Sequence, residues 1–241
     1  MSEERRRSVG ATAFQRAIRA VLVAAAWLMV AGPAAAGTLS GTVRLSGAPE
    51  EPRKLPVTTD HAICGQEKVA EDLILSGAGG IRNVVVSLQT PPSDTTWKTP
   101  WPSAQMDQQQ CVFIPRVVIV PVGGTVEFLN GDRLLHNIRS RNTANTTFNR
   151  TQPKDRTIPI AFTKPEIIRV NCDLHPWMRA WVVVAEHPFY AVTDDSGKFA
   201  ITGIPPGKYT LQLWQEALGT MTRDVTVREG VTTITVEMDR K

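Results

Sequence analysis

A cysteine, a histidine and a methionine recur at every third position in Cys172-Asp173-Leu174-His175-Pro176-Trp177-Met178. Apolar, β-branched runs flank them, Ile167 to Val170 before and Ala180 to Ala185 after. A chain with this stretch has to fold so that two strands end at one metal-binding loop. Thiolate and thioether are soft donors that suit Cu(I), and imidazole serves copper in either oxidation state. Taken singly, a cysteine or a methionine is ordinarily core, and zinc accepts Cys and His in tetrahedral sites. Zinc has little use for a thioether, so the three together point to copper.

A second histidine stands upstream. Val117 to Asn130 reads VVIVPVGGTVEFLN, two β-rich runs broken by Pro121 and the Gly123-Gly124 turn. The polar turn Gly131-Asp132-Arg133 then leads to His136-Asn137-Ile138 at the start of another apolar segment. On VPVGGTVEFLNGD, HNI and CDLHPWM running into RAWVVVAE, residues 80–187 resemble a cupredoxin of the amicyanin and plastocyanin branch. The resemblance implies a Greek-key β-sandwich holding one type 1 copper. Its ligands are then His136, Cys172, His175 and Met178, with Met178 axial. It further implies that Asn137 and Asn171 steady the ligands from outside, although many relatives carry an aromatic residue or His where this chain has Asn171. That departure bears on redox potential more than on copper binding. His175 is expected to be the ligand nearest solvent, with Pro176 and Trp177 as an apolar rim where a redox protein partner docks. Four such ligands leave no open position, so the expectation is a one-electron carrier and not an enzyme. No hydrolase elbow, zincin, Walker or dinucleotide motif appears.

Residues 1–36 read as a secretory signal: Arg5, Arg6 and Arg7, with Arg16 and Arg19, precede an apolar run from Val21 to Ala31, and Ala34-Ala35-Ala36 closes it. The run is short for a membrane span of about 20 residues; the alternative is an uncleaved anchor. Of the 27 basic and 23 acidic residues the signal holds five and two, leaving 22 against 21. An exported chain so close to neutral gives no electrostatic reason to bind nucleic acid, and it is expected in the periplasm or otherwise outside the cytoplasm, with no membrane span once the signal is removed.

With Cys172 assigned to metal, Cys64 and Cys111 are left either to form a disulfide, which an oxidising compartment permits, or to build a second metal site with His61. Residues 37–79 open as a β-strand (GTLSGTVRLSGA) and become a loop-rich cover; Asn83 to Leu88 reads as a strand of the copper domain. Trp97 and Trp101 lie in a long polar loop, packed on the sheet or facing a partner. Arg139, Arg141 and Arg150 form either a basic rim for an acidic redox partner or a solvated loop. From residue 188 the chain changes character. The turn Thr193-Asp194-Asp195-Ser196-Gly197 and KFAITGIPPGKYTLQLWQE resemble the transthyretin-like, carboxypeptidase regulatory-like β-sandwich. That module is expected to be smaller and to include residues 37–79 if the copper domain is an insertion. Asp194 and Asp195 read as turn formers, and His187 as a boundary residue. Two other functions compete with electron transfer: a periplasmic copper carrier or sensor, and a non-redox envelope-binding protein with a structural metal.

Overall fold

In Gly37–Leu45 (β1) alternate residues Leu39, Val43 and Leu45 are buried, the period-two pattern of a strand with one face on a core. The computed structural model describes residues 36–92, 95 and 104–240; the signal reading, apart from Ala36, and the two tryptophans Trp97 and Trp101 fall outside them. After β1 come β2 (Lys54–Pro56), the helical turn α1 (His61–Cys64), β3 (Glu67–Val69) and β4 (Val85–Leu88). Next are β5 (Ala104–Gln109), β6 (Val112–Ile114), β7 (Val117–Pro121), β8 (Thr125–Phe128) and β9 (His136–Ser140). Then follow β10 (Asn149–Gln152), β11 (Ile158–Ala161), β12 (Glu166–Asn171) and β13 (Arg179–Ala185). The last five are β14 (Tyr190–Val192), β15 (Lys198–Ile204), β16 (Gly207–Gln215), β17 (Gly219–Val227) and β18 (Gly230–Met238). The fold is all-β.

Two pairs of sheets enclose two cores. The first pair, ordered β10-β9-β12-β13-β7 and β11-β8-β5-β6, closes on Met106, Phe113, Phe128, Ile138, Phe162, Ile168 and Val170. The second, ordered β15-β1-β18 and β14-β4-β16-β17, closes on Leu39, Val43, Val86, Phe199, Leu211 and Leu213. The second pair has seven strands against nine in the first, and four of its strands, β1, β16, β17 and β18, run to nine residues.

The boundary expected at residue 80 is corrected by β4. Its Val85, Val86, Ser87 and Leu88 are all buried, and it pairs with β14 and β16 in the second sandwich. A strand covered on both faces loses the apolar–polar alternation, and β4 is mostly apolar with Ser87 buried too, so its parity gave no sign of the sheet it joins. Residues 37–79 also divide. β1 runs parallel to β18 and antiparallel to β15, whereas Val57 and Cys64 belong to the core of the first sandwich. Residues 54–70, the β2–β3 hairpin and α1 between its strands, thus form a strap across that sandwich. The turn before β15 fits closely against β1. Gly197 has φ +78° and a side chain there would meet the Val43 carbonyl oxygen at 2.5 Å, so only glycine suits the place. Asp194 Oδ1 accepts from the amides of Ser196 and Lys198, and Asp195 pairs with Arg82. His187 accepts from the Phe189 amide, and its other ring nitrogen meets the Leu88 carbonyl.

Val85, Val117 and Val183 pack where the sandwiches meet, beside the edge-to-face pair Trp181 and Trp214. Arg116 crosses the same junction. Its guanidinium donates to both carboxylate oxygens of Glu216, to Glu71 and to the Arg179 carbonyl.

Glu166, at the start of β12, secures the loop between β9 and β10. Burial pushes its pKa up, but the amides of Thr143, Asn145 and Ala144 and the Asn145 side chain outweigh that and hold it at about 2, below the ordinary 4.5. A depressed carboxyl contributes stability that is present above the unfolded value and lost as pH falls through the folded one. We therefore expect the advantage of wild type over Glu166→Gln to be full above pH 4.5 and to fade down to pH 2, in paired denaturation series.

Candidate metal centre

Adjacent strand ends assemble the site. β9 begins at His136, and antiparallel β12, paired to it at Asn171↔Arg139, ends just before Cys172. The loop 172–178 then turns back into β13. It is closed by the Cys172 amide donating to the Met178 carbonyl and the Met178 amide donating to the His175 carbonyl. Asn137 fastens the loop to β9: its side-chain oxygen accepts from the Asp173 amide at 2.6 Å, and its amide group donates to Asp173 and Asn149.

Three donor atoms converge. His136 Nδ1 and His175 Nδ1 are 2.9 Å apart, and Cys172 Sγ lies 3.9 Å from the first and 3.6 Å from the second. Both histidines are 0% exposed, Cys172 3% and Met178 1%. Each ring's Nε2 faces a carboxylate: His136 meets Asp132 at 2.9 Å and His175 meets Asp60 at 3.1 Å. Those partners fix the proton on Nε2 and turn the Nδ1 lone pairs toward each other and toward the sulfur, the arrangement that metal-binding histidines use. Two buried lone pairs at that distance repel unless a cation lies between them. With zinc's bond lengths as a guide, a trigonal set of two imidazoles and a thiolate separates its donors by about 3.5–3.8 Å. The sulfur distances match, and the two nitrogens need to part by roughly 0.6 Å. The donor set fits a soft metal ion. Burial lowers the His136 pKa against the opposing pull of Asp132, which favours the neutral ring a metal requires. Burial likewise raises the Cys172 thiol, while the amides of Asn137, His175 and Leu174 pull it down.

The surroundings differ from expectation at His175. It is not the solvent-facing ligand, because the strap lies over it. Cys64 and Cys111 form a disulfide that ties the strap to the β5–β6 turn, and Asp60 reaches from the strap to the ring. Trp177 is half-buried, its indole donating to the Cys111 carbonyl and its ring 5.3 Å from His175; Pro176 is exposed beside it. Of the two predicted rim residues, Trp177 thus sits against the turn that anchors the strap, while Pro176 lines a depression beside Cys172. His61 is exposed, with Nδ1 near the Gly65 carbonyl. Asn171 makes no side-chain hydrogen bond among the described residues and faces outward on β12 between Arg139 and Arg179.

Two carboxylates were not legible as site residues. Asp132 Oδ1 accepts from the Gln110 amide and Oδ2 from the Cys111 amide, besides meeting His136. It thereby supports two consecutive left-handed residues, Gln110 (φ 51°) and Cys111 (φ 57°), in the turn that carries the disulfide. The one sequence signal for it is its place four residues before His136. Asp60 has no such signal. For Asp132→Asn we expect copper affinity to fall about 10–100-fold, read by competition with a chelator of known affinity.

One family model, that of polysaccharide lyase family 4, domain II, matches residues 177–235. The match is to that family and not to a carboxypeptidase regulatory-like one. No curated protein gives a match. Among solved structures, a purple cupredoxin from Nitrosopumilus maritimus is similar at 24% identity and TM-score 0.31, covering 34% of this chain and all (100%) of that one. The oxidised M98K mutant of amicyanin aligns at 18% identity and TM-score 0.33, over 42% of this chain and 98% of its own. A copper-containing nitrite reductase from Thermus scotoductus SA-01 aligns at 24% identity and TM-score 0.34, over 40% of this chain and 25% of its own. Each spans less than half of this chain.

Proposed function

We propose that this is an exported one-electron carrier in which His136, His175, Cys172 and Met178 would hold a single type 1 copper. The observation that carries the reading is the convergence of two imidazole nitrogens and one thiol sulfur, each buried and each facing the other two. Copper, when bound, supplies the one-electron couple. The chain's own residues do the rest. Asp132 and Asp60 hold the ring tautomers, Asn137 holds the loop on β9, and the strap excludes water from His175. Donors fixed this firmly rearrange little between oxidation states, which electron transfer favours over chemistry at the metal. The Cys64–Cys111 disulfide supports an oxidising compartment, and among the described residues no helix is long and apolar enough to cross a membrane.

A copper carrier for delivery is the competing role, and a ligand set under a disulfide-tied strap favours retention over delivery. Challenge of the Cu(I) form with a Cu(I) chelator separates the two. Retention through repeated oxidation and reduction supports the electron carrier; transfer of the metal to the chelator within one cycle contradicts it.

A further inference from the structure

The strap covers the His175 side of the site, so electrons need another way out, and one metal donor opens on a different face. Cys172 lines a surface depression of about 270 Å³ whose rim carries Arg139, Arg141, Arg169, Arg179 and Asp173. Strand register explains the gathering. Arg139 on β9 and Arg179 on β13 both pair with Asn171 of β12, and Arg169 lies two residues before Asn171 on the same strand. Their side chains therefore share the outward face beside the ligand loop. Four guanidinium groups meet one lining carboxylate. Arg139 pairs with Asp173 at 2.9 Å and Arg179 lies 3.8 Å from Glu216. Among the described residues no carboxylate stands within ion-pair distance of Arg141 or Arg169. Like charges gathered on one sheet face destabilise the fold, so packing gives no reason for the cluster.

We infer that this arginine face, beside Cys172, is where an acidic surface of a redox protein docks and where the electron crosses. The inference rests on the electron-carrier reading and moves its docking site away from Trp177 and onto the side of Pro176 that lines the depression. Complementary charge speeds encounter by 10–10³-fold and is screened by salt. Arginine also grips carboxylates in two-point contacts.

The test compares the copper-loaded wild type with Arg141→Gln/Arg169→Gln, which removes the two cations that have no ion pair and so spares the fold. Oxidation of the Cu(I) form by the anion hexacyanoferrate(III) and by the cation tris(1,10-phenanthroline)cobalt(III) is followed by stopped flow at low and high salt. For hexacyanoferrate we expect a rate that falls with salt and drops about tenfold or more in the variant, with the cation's rate undiminished. Equal hexacyanoferrate rates in the two proteins overturn the assignment. A second readout needs no metal: poly-L-glutamate added to the metal-free protein is expected to shift the amide resonances of residues 139–141 and 169–173, and to bind the variant at least tenfold more weakly. If inorganic phosphate at matched ionic strength displaces poly-L-glutamate, the depression is a small-anion site and the protein-docking inference is overturned. Loss of the copper–thiolate absorption would instead count against the electron-carrier reading, while poly-L-glutamate binding still reports on the arginine face.

Discussion

Glu216→Ala is expected to lower the folding free energy by about 3–5 kcal/mol, because it leaves a buried guanidinium without its main partner. Arg116 is 7% exposed and Glu216 4%, and they meet through two nitrogen–oxygen contacts at the junction of the sandwiches. Glu71, 33% exposed, and the Arg179 carbonyl remain, but neither replaces a buried carboxylate. The asymmetry of buried ion pairs makes a sharper check: Arg116→Met/Glu216→Leu is expected to be far less destabilised than Glu216→Ala. Urea denaturation of the three proteins measures it. A loss under about 1 kcal/mol for Glu216→Ala would mean that water or Glu71 satisfies Arg116.

The second large effect belongs to the disulfide. Cys64 and Cys111 are 47 residues apart in sequence, and cross-linking a loop of that size stabilises by about 4 kcal/mol in the chain-entropy account. Cys64→Ser/Cys111→Ser is expected to lose most of that and to release the strap, and with it the contact between Asp60 and His175. Loss of copper to a Cu(I) chelator is then expected to quicken about tenfold or more, the scale on which outer partners of metal ligands act. Unchanged copper loss in the double variant would show that the strap does not guard the site.

The candidate metal ligands stood out in the sequence because their chemistry is local. Three donors share one short loop, and the strands that frame it are apolar, β-branched runs. What covers the site was not legible. Asp60 meets His175 from 115 positions away, and a single acidic residue before a helical turn carries no sign of a metal partner. The arginine face was read in part. Arg139 and Arg141 stand close together in the sequence, but Arg169 and Arg179 join them only once β9, β12 and β13 are set side by side in register. Arg150 is paired to Ile138 on β10 and is exposed, away from that depression. β4 misled for the opposite reason: a short run buried on both faces, Val85, Val86, Ser87 and Leu88, has no alternation to show which sheet it joins.

The central claim is that Cys172 and two histidines hold copper as an electron-transfer centre. The most direct test is the visible absorption spectrum of the Cu(II)-loaded protein, expressed without residues 1–36, beside Cys172→Ser. The account predicts an intense thiolate-to-copper band that bleaches and returns with reductant and oxidant and is absent from the variant. A Cu(II)-loaded protein without that band, or one whose band survives Cys172→Ser, would contradict it.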